Sequence, residues 1–416
     1  MENSRTQNSI RNIGFGMINR VVSILFPFIV RTIFIKTLGE EYLGLNSLYS
    51  SVLQVLNLAD LGFASAIVAS MYKPIADNDV KKVSALMALY KKLYKVIGCC
   101  ILCVGLAVTP FIGALISGEP PEDVNIYIVW LLYLANTVVS YLFYAYKVSV
   151  INAHQRSDIT EKIGAVCRIL FSVLQIIVVA VFRNIYLYVF LTVINSIAYN
   201  LWCARECDKR YSQYVCSGEL DKATKSQITR NVGALALQKI GNTVSISLDS
   251  IIISSFLGLR IVAIYGNYYY IVSAVSTFIN LIYGAITASI GNSIATESLK
   301  KNYIDLKKFF FLNTWLIGWC SICFICLFQD FMSIWMGDKL LFGMGTVFCL
   351  VLRFYFEQIR KVILTYKDAA GLWWADKWRP IVGCLVNLIL NIVMVKAIGA
   401  VGVMLSTVIS YALVEI

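Results

Sequence analysis

Charge is what this sequence lacks. Only 14% of its 416 residues are Asp, Glu, Lys or Arg, while 59% are hydrophobic and the mean hydropathy is +0.73. Soluble domains carry about a quarter of their residues as charges, and a water-facing surface of this size cannot be built from so few. The chain must be solvated largely by lipid. Histidine is almost missing: His154 stands alone, in a predicted loop, which leaves no Cys/His metal site, and nothing in the sequence asks for a cofactor. The alternating segments of about 10 residues that mark barrel strands are also missing. No cleavable leader is expected, because the first apolar run, Ile13 to Leu38, is too long and carries Arg20 and Arg31. The 12 cysteines do not form a disulfide framework. Cys99, Cys100 and Cys103 fall within one apolar run, and Cys320, Cys323 and Cys326 within another, so they read as small apolar side chains packing in membrane helices.

Long unbroken apolar runs are present instead, each near the ~20 residues a spanning helix needs. Only helices and closed barrels satisfy their backbone in lipid, so the expected fold is all-α and polytopic. The predicted spans number about twelve. They run over 13–38, 43–71, 93–116, 124–145, 163–182, 185–204, 232–257, 261–294, 309–335, 341–359, 381–395 and 401–414. The second and eighth exceed one bilayer thickness and should tilt or project into water.

Basic residues are concentrated in alternate loops. The N-terminal segment and the second, fourth, sixth, eighth and tenth loops hold 26 Lys and Arg, and the opposite loops hold five. The positive-inside rule makes the rich side, with the N-terminus, cytoplasmic. This bias accounts for the net charge of +12 without a nucleic-acid partner. An internal repeat is also visible. Arg11-Asn12-Ile13-Gly14 matches Arg230-Asn231-Val232-Gly233 at an offset of 219 residues, where Arg20 meets Lys239 and Leu38-Gly39 meets Leu257-Gly258. Six spans follow each copy, an even number, so the halves share one orientation, as in a parallel repeat about the membrane normal. The expected organisation is a six-helix lobe over 1–204, a polar cytoplasmic linker over 205–229 and a second six-helix lobe over 230–416. The sequence stops at Glu415-Ile416, almost inside an apolar run, as a chain cut within a longer helical array would.

Charges inside predicted spans cost about 2.5–3.5 kcal/mol each on the insertion scale and ordinarily face a cavity or one another. The basic ones are Arg20, Arg31, Arg168, Lys239 and Arg353; the acidic ones at depth are Asp60 and Asp249, with Glu357 near an end. Arg20 and Arg31 are eleven residues apart, hence on one helix face and about 16 Å apart along the axis, with Pro27 between them able to kink the helix. Arg20 and Lys239, equivalent in the repeat, are expected at the mouth of a cavity between the lobes, forming a basic path suited to a phosphate. The competing reading is that these bases neutralise Asp60 and Asp249 in structural pairs. For Arg353, Glu357 at i+4 and Lys361 at i+8 favour an intrahelical charge ladder. Arg168 lies near a span end and can snorkel. Tyr268-Tyr269-Tyr270 and Trp373-Trp374 could stack on a sugar, but an interfacial aromatic belt accounts for the Trp pair, and at most two of the three tyrosines can share a cavity face.

The run Arg11-Asn12, Leu38-Gly39-Glu40-Glu41-Tyr42-Leu43-Gly44-Leu45 and Leu58-Ala59-Asp60-Leu61-Gly62 resembles the start of bacterial polysaccharide-unit flippases of the Wzx type. Trp378-Arg379-Pro380-Ile381, Asn387-Leu388 and Ile398-Gly399-Ala400-Val401-Gly402-Val403 look like their eleventh and twelfth helices. The resemblance implies the multidrug/oligosaccharidyl-lipid/polysaccharide exporter superfamily, with two six-helix lobes that open alternately to either side. It implies an undecaprenyl-diphosphate-linked oligosaccharide as cargo, for capsule, O-antigen or exopolysaccharide synthesis at the bacterial cell membrane, among membrane lipids and other polysaccharide-assembly proteins. Arg20, Arg31 and Lys239 match the family's basic cavity residues by position and type. Asp60 and Asp249 are the candidates for a coupling ion. The rivals are a multidrug exporter or a lipid II flippase on the same fold. From another class, a membrane polymerase or ligase would need catalytic groups in a large external loop, and these loops are short.

Overall fold

The computed structural model describes residues 2–57, 63–118, 120–221, 225, 228, 244, 246–372 and 378–415. All regular structure among them is helical, which is how a chain in lipid meets its backbone hydrogen-bonding needs locally. Among the described residues, seven helices are long and apolar enough to cross a bilayer, or eight if one bent pair counts as a span. The protein is therefore an all-α, multi-pass membrane protein.

The chain divides into two compact units, Met1–Ala114 with Glu119–Lys239, and Leu115–Gly118 with Ile240–Ile416. In the first unit, α1 (Glu2–Thr37) runs unbroken through Pro27 and packs along α7 (Ser157–Ile177). α2 (Glu40–Leu56) and α3 (Phe63–Ala76) occupy the second predicted span. α4 (Val80–Val108) packs on α5 (Ile126–Leu142), and α5 on α8 (Ile185–Arg210). α5 does not run straight on: Tyr144 takes φ +54, and α6 (Ala145–Ala153) leaves at 47°.

The second unit holds α9 (Ile246–Leu257), α10 (Leu259–Thr296), α11 (Leu299–Met336), α12 (Met344–Ile359), α13 (Lys361–Ala369) and α14 (Arg379–Ser410). α14 reverses direction at Ile398 (φ −136°) and Gly399 (φ +61°), between the two predicted final spans. Its arms then pair antiparallel. Asn387 Nδ2 donates to Thr407 Oγ1 at 3.0 Å, and Ser410 Oγ donates to the Gly383 carbonyl at 2.9 Å.

The 219-residue offset recurs in the backbone. Gly39 and Gly258 have φ +105° and +88° and start α2 and α10. Asp79 and Ser298 each cap a helix by accepting from the N–H three residues on, that of Lys82 and of Lys301. Gly118 and Gly337 have φ +86° and +84°. Left-handed φ is costly for any residue with a Cβ, so matching glycines at matching turns are what a duplicated helix hairpin requires.

Ends of elements in the first unit are tied by polar contacts. Asp158, 5% exposed, accepts from Arg156 Nε at 2.8 Å and pairs with Arg11 at 3.0 Å; this hydrogen bond raises the Arg156 pKa. His154, between α6 and α7, stacks on Tyr211 with centroids 4.0 Å apart, and its Nε2 lies 3.2 Å from Tyr214 Oη. The ring thus holds the start of the segment after α8. Burial lowers the His154 pKa below its ordinary 6.5. The neutral ring is favoured in the fold, so its contribution is complete above 6.5 and is lost as the pH falls through the lowered folded value. Hydrogen exchange over 211–214, corrected for intrinsic rates, is expected to rise from pH 7.5 to about 5, and His154→Phe should remove that pH dependence. Equal pH dependence in the variant would place the switch elsewhere.

Candidate functional site

Among the charges inside the predicted spans, Arg353 on α12 is 2% exposed and Asp249 on α9 is fully buried. Arg353 Nη1 donates to Asp249 Oδ2 at 2.5 Å and to Tyr265 Oη at 3.0 Å. Asn391 Nδ2 donates to Asp249 Oδ1 at 2.8 Å, and Asn391 Oδ1 accepts from the Ser406 hydroxyl. The Tyr269 ring lies 5.4 Å from the guanidinium carbon, within cation–π reach. This arrangement replaces the expected Arg353–Glu357 ladder. An acid on another helix, with no water around it, attracts the guanidinium more strongly than a carboxylate one turn along a partly solvated face. Arg353 therefore neutralises a buried carboxylate, and Asp249 enters the structure already paired. Asp60 and Lys239 lie outside the described residues.

The other three arginines belong to the first unit, on the adjoining helices α1 and α7. Arg20 is exposed, while Arg31 and Arg168 are partly buried. Arg20 and Arg168 make no ion pair among the described residues. Arg168 lines a cavity of about 260 Å³ with Glu161 and Gly164 of its own helix, Asn19 of α1, and Asn195 and Tyr199 of α8. Glu161, Gly164 and Arg168 follow one another at three and four residues, so one face of α7 carries all three. Asn19 Nδ2 donates to Glu161 Oε2. This cavity is not legible in the sequence: Glu161 lies outside the span predicted over 163–182, and Asn19 and Asn195 sit singly in apolar runs.

The aromatic runs divide as helical geometry demands. Tyr268 is fully buried and donates to Gln329 Oε1 at 2.5 Å, Tyr269 stacks on Tyr265 at 5.7 Å, and Tyr270 lies 6.5 Å from Trp335. They form packing contacts within the second unit. Trp373 and Trp374 lie outside the described residues. Cys99, Cys100, Cys103 and Cys326 are exposed on their helices rather than packed, which fits an apolar side chain facing lipid.

The fold is shared with transporters of the MOP superfamily. An inward-facing structure of a multidrug resistance MATE family transporter of that superfamily superposes with a TM-score of 0.71 at 13% identity, covering 94% of each chain. A MOP superfamily transporter from Pyrococcus furiosus, described as having a binding pocket of reverse polarity, gives 0.67 at 14%, covering 97% of this chain and 92% of that one. A MATE transporter from Vibrio cholerae gives 0.62 at 14%, covering 98% and 94%. No curated protein matches the sequence. Residues 9–287 match the family described as "Polysaccharide biosynthesis protein". That match spans well over half the sequence and agrees with the Wzx-type resemblance of its motifs, so this chain belongs to the polysaccharide biosynthesis protein family.

Proposed function

We propose that the protein is a flippase that moves an undecaprenyl-diphosphate-linked oligosaccharide from the cytoplasmic to the outer leaflet of a bacterial cell membrane. The observation that carries this reading is the combination of a polysaccharide-biosynthesis sequence family with a transporter fold. Transport, not catalysis, is the task such a fold performs. The basic residues Arg20, Arg31 and Lys239 attract the diphosphate, whose oxygens a guanidinium fork grips in two parallel hydrogen bonds. The saccharide crosses along a polar path while the prenyl tail stays in lipid, and the path opens alternately to the two sides. The N-terminus and the basic loops lie in the cytoplasm. A multidrug exporter of cationic drugs would instead want an acid at depth open to the drug; of the two acids predicted there, Asp249 is already held by Arg353, and Asp60 lies outside the described residues. Capsule, O-antigen and exopolysaccharide units all meet this description of the cargo.

The test is complementation of a flippase-deficient strain, scored by surface polysaccharide at matched membrane levels. The parent chain is expected to restore export. Arg20→Ala and Arg31→Ala are each expected to lower it about 10-fold or more, the loss of one charge-assisted hydrogen bond. Full export by both variants would discard the basic grip while leaving the flippase in place. Drug efflux by the parent, without polysaccharide, would replace the reading itself.

A further inference from the structure

The cavity around Arg168 is one of two adjoining chambers inside the first unit. The second, of about 330 Å³, shares Ser196 and Tyr199 with it as lining residues. Its walls include Tyr90, Tyr94 and Tyr141, with centroids 4.5 and 5.4 Å apart in sequence order, and Asn152 and Asn200. All of these residues come from α1, α4, α5, α6, α7 and α8, so one bundle lines both chambers, and each is open on one side.

Three buried polar atoms on the wall of the first chamber have no partner among the described residues: Asn19 Oδ1, Asn195 Oδ1 and Arg168 Nε. A buried polar atom left unsatisfied is unfavourable, and three around one space call for an occupant that hydrogen-bonds them. The occupant must donate to two amide oxygens, accept from a guanidinium N–H, and lie beside the Glu161 carboxylate. The diester diphosphate of the cargo has no O–H to donate and meets Glu161. A metal ion meets Arg168. Water both donates and accepts, and a neutral group with several hydroxyls does so at all three positions at once. A cavity of about 150 Å³ holds a benzene ring, so each chamber has room for a hexose, and the wall of the second includes the small exposed parts of Tyr94 and Tyr141.

We infer that these chambers are a saccharide-binding site within the first unit, taking one or two sugar residues of the cargo, while the diphosphate is held elsewhere. The inference rests on the flippase reading and adds to it where the sugar is read. It also gives Arg168 a neutral hydroxyl as its ligand rather than the diphosphate. Gly164 keeps the first chamber open. A Cβ there would touch Asn19 Nδ2 and Tyr199 Cε2 at 3.6 Å, an ordinary contact, whereas a longer side chain would cross the space.

The test uses the full chain in lipid nanodiscs with two probes, bare undecaprenyl diphosphate and the saccharide-bearing undecaprenyl diphosphate extracted from cells that express the protein. The parent is expected to bind the saccharide-bearing lipid about 10-fold tighter. Gly164→Leu, which fills the chamber, and Asn195→Leu, which removes an acceptor without adding bulk, should bind both lipids equally, at the parent's affinity for the bare one. Gly164→Ala should behave as the parent. A preference kept in both leucine variants, or absent from the parent, overturns the chamber as the sugar site and leaves the flippase reading standing. Binding of neither lipid by the parent overturns both.

Discussion

Arg353→Met is expected to destabilise the second unit by about 3–5 kcal/mol, the cost of breaking a buried ion pair from one side. Asp249 would remain fully buried, with Asn391 and Tyr265 as its remaining hydrogen-bond partners. Neither supplies the positive charge that the guanidinium provides at 2.5 Å. The double variant Arg353→Met, Asp249→Leu should recover most of the loss, because the desolvation penalty of both ions disappears together. Arg353→Lys should fall between the two: it keeps the charge, but its shorter side chain does not bring a nitrogen to the position from which Nη1 donates to both Asp249 and Tyr265. The measurement is the midpoint of thermal unfolding in detergent, with membrane abundance alongside. If the double variant were as unstable as the single, the pair would be acting through packing alone, and this account of Asp249 would be wrong.

Gly402→Ala is expected to cost more than ~3 kcal/mol, combining overpacking with the loss of several buried hydrogen bonds. A Cβ at Gly402 would stand 2.2 Å from the Met394 carbonyl oxygen. That atom belongs to the backbone of the facing arm and cannot swing aside. The arms of α14 would have to separate, weakening the bonds from Asn387 to Thr407 and from Ser410 to Gly383. Gly399→Ala makes the useful contrast. Gly399 has nothing within 4 Å but holds φ +61° with ψ −138°, a conformation open to little besides glycine, so its substitution costs backbone strain alone, about 1–3 kcal/mol. Both glycines sit in one turn, yet one is required for space and the other for conformation. Equal destabilisation of the two variants would show that arm contact is not the constraint.

Hydropathy alone located most of the helices, because a spanning segment must be apolar along its whole length regardless of its neighbours. The reversal between the last two predicted spans falls where the structure turns, at Ile398 and Gly399. The repeat was legible from Arg11 to Gly39 and its second copy, since glycine at a left-handed turn cannot be exchanged cheaply. Its continuation through Asp79 with Ser298 and Gly118 with Gly337 was not, because a cap needs only some short polar side chain and a single glycine carries little pattern. The departures from straight helices were also hidden. The break at Tyr144 places a positive φ on an ordinary residue, a conformation that only surrounding packing holds in place.

Composition, apolar run length and loop charge determined, by themselves, that this is an all-helical membrane protein with a duplicated pattern, since lipid acts on each segment separately. Tertiary structure alone decided what the intramembrane charges do. Arg353 has a carboxylate four residues away in sequence, yet it bonds to one 104 residues away, because electrostatic attraction in a dry interior follows distance and burial rather than order along the chain. The same reason hid the chambers beside Tyr199. Asn19, Glu161, Arg168 and Asn195 come from three helices, and each is an isolated polar residue until packing turns them toward one space.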